Sequence, residues 1–415
     1  MEQDVIVIGG GAGGMMAAIA AGELGAKVLL LEKNDILGKK MLIAGKGRCN
    51  ITNDKEIQQL IEAFPHNGRF LYTAFNRFSN QDTKEFFTNN GVPLKVERGD
   101  RVFPVSDRSK DIVQAMERKL KSTGVKVKTK AKVVDLRCQA DGLHQVVLAN
   151  GEVLEAERVI VATGGASYPG TGSTGDGYNF ARRAGHEIVT LRPALVPLNA
   201  AEPWVKELQG LSLKNVKLTL TNQEGKIIAE DFGEMLFTHF GISGPIVLTV
   251  SGQAVDYWQK EKTALKATID LKPALSEEKL DARLLREIEA QHKKQLKNSL
   301  SALLPAKLIP VFLQLTNLEP EKMMYQLTKN ERQKMVQTLK NLTLTVTGTR
   351  PLEEAIVTAG GVQVKQISPK TMESKLVSGL YFVGEVLDID GVTGGFNLQA
   401  ALSTGYLAGQ ACIMG

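Results

Sequence analysis

Hydrophobic and polar positions fall into alternating blocks of strand and helix character along the chain. Val5–Ile8 followed by glycines is a β-branched run too short for a helix, and it predicts a buried strand. Residues 12–26 are rich in Ala and Met and read as a helix. Residues 27–34, KVLLLEKN, read as a second buried strand. Together they make one βαβ unit, whose right-handed crossover sets the two strands parallel. From about Gly124 the pattern turns to alternating strands over 125–138 and 143–157, with Asn150-Gly151 as a hairpin turn. A third buried strand, RVIVATGG, follows at 158–165.

Residues 192–275 read mostly as β, with clean alternation in VKLTLT and again in LKATIDLK. Residues 276–341 read as helical. Leu280, Leu284 and Ile288 recur on one face behind a Ser276 N-cap, and the amphipathic pattern repeats over 321–340. After 342 β and glycine-rich character returns, ending in the strand-and-turn GLYFVGEVLDIDG and a last helix from Gly394. The pattern predicts a nucleotide-binding domain built from residues 1–191 and 342–415. A β-rich domain, 192–275, and a helical domain, 276–341, are inserted between its halves.

Composition narrows the class. The chain has 415 residues, and that length makes two or three domains the expectation. Its 43% hydrophobic and 23% charged residues exclude disordered and fibrous classes. Three cysteines, Cys49, Cys138 and Cys412, make neither a disulfide framework nor a zinc site, so no metal and a reducing, cytoplasmic compartment are expected. The N-terminus has no basic n-region of a secretory signal, and no apolar run reaches the length of a membrane span. The net charge of +6 is mild and dispersed, and aromatic residues are only 6%. That combination suits a small-molecule substrate, and argues against a nucleic-acid groove with stacking aromatics.

Gly9, Gly11 and Gly14 form G-x-G-x-x-G between the first strand and the first helix. Gly9 serves the tight turn, Gly11 the approach of a pyrophosphate, and Gly14 close packing of helix on sheet. Ala12 and Gly13 lie at the helix start, where free N–H groups and the dipole meet phosphate charge. Glu32, at the end of the second strand, is suited to accept ribose hydroxyls and to repel a 2′-phosphate; Lys33 beside it works against that repulsion. FAD or NAD is therefore expected over NADP at this turn.

Three further segments decide for FAD. The strand ending at Thr163, Gly164 and Gly165 returns beside the first one and offers its backbone to a cofactor. In the segment 379–391, Gly384, Glu385 and Asp388 form an acidic turn, with Asp388 directed at ribityl hydroxyls that NAD does not have. Gly394 and Gly395 open the last helix, and the backbone N–H groups of Asn397, Leu398 and Gln399 suit the negative charge of a reduced flavin pyrimidine. A loop after the second strand, with Gly47, Arg48, Cys49 and Asn50, is suited to wrap the flavin. Asn50 would be directed at N5 or the C4 carbonyl. Val134 completes the expected cofactor set. Without a CxxC, Cys49 reads as a packed thiol, and His66 carries no pattern for covalent flavin attachment, so non-covalent FAD is expected.

The segments AGKGRCNITN, VIVATGGASYPGTGSTGDGYNFARRAGH, FTHFGISGP and VLDIDGVTGGFNLQ, taken together, resemble bacterial FAD-binding proteins of the aminoacetone oxidase type, a group that includes reductases of unsaturated 3-oxo bile acids. The resemblance runs over almost the whole chain. It implies an α/β fold: a glutathione-reductase-like Rossmann FAD domain with inserted β-barrel-like and helical domains.

A flavin carries the hydride chemistry, so few reactive side chains are required. His239, in FTHFGISGP, is the acid/base candidate because histidine titrates near neutrality. Asn50 and Tyr168 complete the catalytic set; the segment holding Tyr168 also resembles the TGDG region of fumarate reductase-type flavoproteins. No second G-x-G-x-x-G is present, so NADH or NADPH is expected to visit transiently. The expected activity is an FAD-dependent oxidoreductase reducing an unsaturated small molecule with NAD(P)H. Amine oxidation by oxygen and flavin-dependent tRNA modification or RNA binding are the alternatives.

Overall fold

The computed structural model describes residues 3–139 and 142–414. The chain forms two compact units, one from the segments up to Pro193 and from Ala355 onward, the other Ala194–Glu354.

The first unit is built on a five-stranded parallel sheet. Its strands are β1 (Val5–Ile8), β2 (Val28–Leu31), β3 (Lys126–Lys128), β4 (Arg158–Val161) and β5 (Leu380–Phe382), in the order β5-β4-β1-β2-β3. All four residues of β1 and of β2 are buried, as a parallel sheet covered on both faces requires. Helix α1 (Ala12–Glu23) makes the first crossover, and α2 (Phe396–Met414) runs against it. A single hydrophobic core joins residues from both ends of the chain. The expected hairpin forms in a three-stranded antiparallel sheet, Val133–Arg137, His144–Leu148 and Val153–Ala156, with Gly151 at φ 87° in its turn. Between β2 and β3 lie the helices Ile57–Glu62, Tyr72–Arg77, Asn80–Asn89 and Ser109–Ser122, from which the periodicity had drawn no elements.

The second unit is a closed six-stranded barrel with helices. Its strands follow the order Leu198–Ala200, Gly241–Ser243, Ile227–Phe237, Ser212–Thr221, Leu265–Asp270, Leu342–Thr349. The last strand corrects the expected boundary at 342. Its Leu342, Leu344 and Val346 point inward while the intervening threonines face out, and it pairs with both Leu265–Asp270 and Leu198–Ala200 to close the barrel. The chain re-enters the first unit only at Ala355. The helices Glu277–Ala290, Ile309–Thr316 and Lys329–Lys340 share one core with the barrel strands, so the helical segment is part of this unit rather than a domain of its own. Ser276 caps the first of them, accepting the Lys279 N–H at 3.3 Å. Among the described residues no helix is long and apolar enough to cross a membrane.

Candidate cofactor site

The carboxyl ends of β1, β2 and β4 open into a cavity of about 520 Å³ that lies wholly within the first unit. This is the crevice where open α/β sheets bind ligands, and the volume is that of a cofactor pocket. Its floor is the glycine turn. The first helical bond of α1 runs from Met15 N–H to Gly11 C=O at 2.9 Å, so the amides of Ala12 and Gly13, which line the cavity, precede the intrahelical ladder. A Cβ at Gly11 would meet nothing within 4 Å; it would project into the space where a phosphate belongs. Gly14 has the opposite reason. A Cβ there would lie 1.8 Å from the Gly9 carbonyl oxygen, so it serves helix–strand packing and stands behind the lining.

Glu32 is buried at the ribose end. Its Oε2 accepts the Gly10 N–H at 2.7 Å, and its Oε1 accepts the backbone and side-chain N–H groups of Asn34 at 2.8 and 2.7 Å. Fixed this way, the carboxylate keeps lone pairs for hydroxyl donors. Lys33 donates to Asp176 at 2.6 Å and to Thr174 at 2.5 Å, which fastens the 167–177 loop to the end of β2. Tyr168 lines the cavity in a left-handed conformation, φ 50°. Its carbonyl accepts from Thr171, whose own carbonyl accepts from Asn34 at 3.1 Å, so Tyr168 belongs to the ribose end.

The middle of the cavity carries a polar cluster that the sequence reading only half located. Glu385 lines it and accepts from Lys40 at 2.9 Å, Ser167 at 3.0 Å and the Thr358 N–H at 3.0 Å. Lys40 was not anticipated; the signal was its place in the GKK run after β2. Asp388, the expected ribityl partner, does not line the cavity. It is buried, accepts from Asn67 Nδ2 at 2.9 Å, and burial holds its carboxyl above the ordinary aspartate range. A turn of 3-10 helix after β5, Gly384–Val386, presents Glu385 to the cavity instead.

The far end is formed by Gly45, Lys46 and the start of α2, where Asn397 and Leu398 line the cavity. Their N–H groups precede the helical ladder, but the Gln399 N–H does not: it donates to the Gly395 carbonyl at 3.0 Å. The Gln399 side chain is also committed, accepting from Thr83 and donating to Ser403 and the Phe78 carbonyl. Gln399 therefore holds α2 in place, and two amides rather than three face the cavity. Asn50 is adjacent: a Cβ on Gly395 would lie 2.9 Å from its Oδ1, a buried oxygen with no hydrogen-bond partner. Thr163, on the cavity wall, has a buried Oγ1 in the same condition. Both are polar positions that a flavin can satisfy.

Of the other expected residues, Gly9, Gly164 and Gly384 line the cavity, whereas Gly47, Gly165 and Gly394 do not. Arg48 is engaged by Glu97 at 2.9 Å and Asp107 at 3.1 Å and lies 4.0 Å over the Phe103 ring. Cys49 is fully buried, and burial pushes its thiol to about 12. Strand alternation turns Val133 to the cavity and Val134 outward. His239 is in the other unit, exposed on the turn after Ile227–Phe237, with its ring edge-on to Phe240 at 5.0 Å. Among the described residues no cluster of His, Cys, Asp and Glu could hold a metal ion.

The geometry fits an extended dinucleotide: amides for a pyrophosphate, a carboxylate at the ribose, a polar middle and a helix N-terminus at the far end. The known proteins similar to this chain agree. A family model described as the HI0933-like protein Rossmann domain matches residues 3–411. The 3-dehydro-bile acid delta(4,6)-reductase of Clostridium scindens is 34% identical over 411 residues, covering 98% of each chain. The ribosomal RNA dihydrouridine synthase of Escherichia coli K12 is 32% identical over 411 residues, covering 98% of this chain and 97% of its own. Among solved structures, the 3-ketosteroid-Δ4-(5α)-dehydrogenase of Rhodococcus jostii RHA1 superposes with a TM-score of 0.53 at 14% identity, over 99% of this chain and 96% of that one. That is a likeness of fold.

Proposed function

This chain belongs to the HI0933-like Rossmann-domain family, and from that premise we propose that it reduces a carbon–carbon double bond conjugated to a carbonyl, with electrons from NADH or NADPH. It is a flavin-dependent oxidoreductase with a Rossmann FAD-binding domain. The observation that carries the finer reading is the pair of full-length relatives. A Δ4,6-reductase of a 3-oxo compound and an enzyme that makes dihydrouridine both add hydrogen across a double bond conjugated to a carbonyl.

FAD, when bound, supplies the hydride at its N5 atom. The protein's part is to hold and polarise. The amides of Ala12 and Gly13 would receive the pyrophosphate, and Glu32 the ribose hydroxyls. Glu385, oriented by Lys40, Ser167 and the Thr358 amide, would accept from the ribityl chain. The α2 amides of Asn397 and Leu398 would stabilise negative charge on the pyrimidine of the reduced ring, by about 1 kcal/mol or more where water is excluded. Expelling water from the mainly apolar cavity would protect reducing equivalents from side reactions.

A small unsaturated carbonyl compound is the leading substrate class. Uridine in RNA is the second reading, favoured by the full-length likeness to the E. coli enzyme. A cytoplasmic setting suits both. Anaerobic addition of NADPH or NADH should bleach the yellow protein, and an added enone should restore the colour. Colour that persists with both nicotinamides, with peroxide formed from an amine donor, would replace this reading with amine oxidation. Salt-sensitive RNA retention with dihydrouridine formed would select the RNA substrate.

A further inference from the structure

We propose that Lys46 is the cation that meets the substrate: its ammonium takes the oxygen on which negative charge gathers as the conjugated double bond is reduced. The inference rests on the reading above and adds a residue to it. A hydride, supplied by the reduced cofactor, forms the new C–H bond at the carbon remote from the carbonyl. The π pair moves through the conjugated system and leaves an enolate oxygen beside the ammonium. Solvent water at this exposed edge then gives one proton to the carbon next to the carbonyl, and the hydroxide it leaves passes to solvent. The substrate gains one hydride and one proton, and two electrons leave the flavin.

The backbone singles this residue out. The helical segment Lys39–Gly47 breaks at Ala44, φ −60° and ψ 146°, and the next three residues are left-handed: Gly45 at φ 58°, Lys46 at 61° and Gly47 at 82°. Glycine adopts that conformation without steric penalty, and a residue with a Cβ does not. Lysine thus stands where a third glycine would be relaxed. The chain beyond the turn is firmly anchored. The Cys49 N–H donates to the Ala44 carbonyl at 2.9 Å and the Ile51 N–H to the Val102 carbonyl at 3.0 Å, with Cys49 and Ile51 fully buried. A side chain held in a strained conformation by a well-determined surround is characteristic of a ligand position.

The cavity assigns the ligand. Lys46 lines it while remaining exposed, and so does Ile43, which is 50% exposed. The two make an open edge, an apolar surface with one cation, and Lys46 shares the far end with the start of α2. The other three lysines of the lining are committed or stand elsewhere. Lys33 is tied to Asp176 and Lys40 to Glu385. Lys39 follows Gly38, whose N–H donates to the Gly10 carbonyl at 2.8 Å, so it belongs to the glycine turn and the pyrophosphate. Among the described residues the Lys46 ammonium has no hydrogen-bond or ion-pair partner. The α2 amides already serve the pyrimidine. A conjugated carbonyl compound arriving at the open edge brings an oxygen that a long cation with three donors can follow as charge develops.

The test is anaerobic single-turnover reoxidation of the dithionite-reduced holoenzyme, followed by return of flavin absorbance. The probes are a 3-oxo-Δ4 steroid, a uridine-containing RNA hairpin and hexaammineruthenium(III), which takes electrons and has no carbonyl oxygen. Lys46→Met should keep its FAD and its ruthenium rate and lose about 100-fold with the steroid or RNA probe that serves the wild type. Lys46→Arg keeps the charge and should recover most of that loss. Lys46→Gly should lose as much as Lys46→Met, yet melt at a higher temperature than the parent when both are free of FAD, because the left-handed strain is gone. Wild-type rates with the organic probes in Lys46→Met overturn the proposal. So does a lower melting temperature in Lys46→Gly, which would give the side chain a role in the fold. A moved flavin midpoint potential, with all three acceptors changed together, would mean that the cation serves the ring and overturns its assignment to the substrate. A wild-type holoenzyme that reacts with ruthenium but with neither organic probe refutes the reduction reading itself.

Discussion

Single residues in this protein separate groups that serve the fold from groups left open for a ligand. Gly11 and Gly14 are three apart in one motif, yet an added Cβ meets nothing at the first and a carbonyl oxygen at 1.8 Å at the second. Gly11→Val should therefore cost the bare protein little, about 0.5 kcal/mol, as at an ordinary open site, while its branched side chain fills the pyrophosphate position. The expected outcome is a folded protein that elutes without FAD absorbance. Stoichiometric yellow colour in the folded variant would refute the assignment. Gly14→Ala should instead give an unstable protein whether or not FAD is present. Cys49 makes a second prediction. With its thiol pushed to about 12 by complete burial, it should resist iodoacetamide in the native protein at pH 8 and react only on unfolding. Labelling should rise with pH, about tenfold per unit below that value, because only the thiolate reacts. Mass mapping that found Cys49 alkylated in native protein would reopen a redox role. At this scale the motif residues were legible because glycine spacing and charge carry their own geometry. Asp388 and Gln399 were not. Both have the right residue type near the right element, and which side chain turns inward depends on partners, Asn67 and Thr83, that lie more than 300 residues away.

At the scale of elements, the cofactor unit depends on two helices whose backbones touch. A Cβ on Gly405 of α2 would lie 2.2 Å from the Gly13 carbonyl oxygen, and one on Gly409 would lie 2.3 Å from that of Ala17. The four-residue spacing puts both on one face of α2, so small residues there set the distance between α1 and α2. Gly409→Val would push against main chain, which cannot turn aside, and should cost about 3 kcal/mol. Thermal unfolding followed by circular dichroism should show it as a drop of roughly 2–4 °C per kcal/mol. Gly252, inside the helix Pro245–Lys260, is the control: its Cβ meets nothing within 4 Å. Gly252→Ala should stabilise by roughly 0.5–1 kcal/mol through helix propensity alone. A Gly409→Val protein as stable as the parent would show that the helices can separate without cost. Helix α2 was predictable from its composition, and so was the βαβ unit from its periods. The close packing between them was hidden, because a glycine inside a helix reads locally as a weak point until its neighbour is known.

For the whole molecule, the informative error was the boundary at residue 342. Leu342–Thr349 carries the alternation of a half-buried strand and sits beside glycine-rich sequence that does return to the cofactor unit, so local pattern could not say which sheet it joins. Pairing decides it. Leu198 lies opposite Thr349, and the Arg350 N–H donates to the Pro197 carbonyl at 3.0 Å, so the segment enters and leaves its own unit at neighbouring points. An insertion of that kind, with its own core of barrel and helix side chains, carries what it requires to fold. Residues 194–354 expressed alone should unfold cooperatively on heating and take up no FAD. The reciprocal chain, with Pro197 joined to Arg350 through a Gly-Gly link, should retain FAD, because every residue lining the cavity lies outside the removed segment. A broad, non-cooperative melt of the fragment would mean that the barrel draws its stability from the flanking chain. A reciprocal chain that folds but cannot bind FAD would place part of the cofactor's binding energy in the barrel unit. Both outcomes are read by the same two measurements, a thermal melt and the flavin absorbance of the purified protein, and either would redraw the boundary by function as well as by packing.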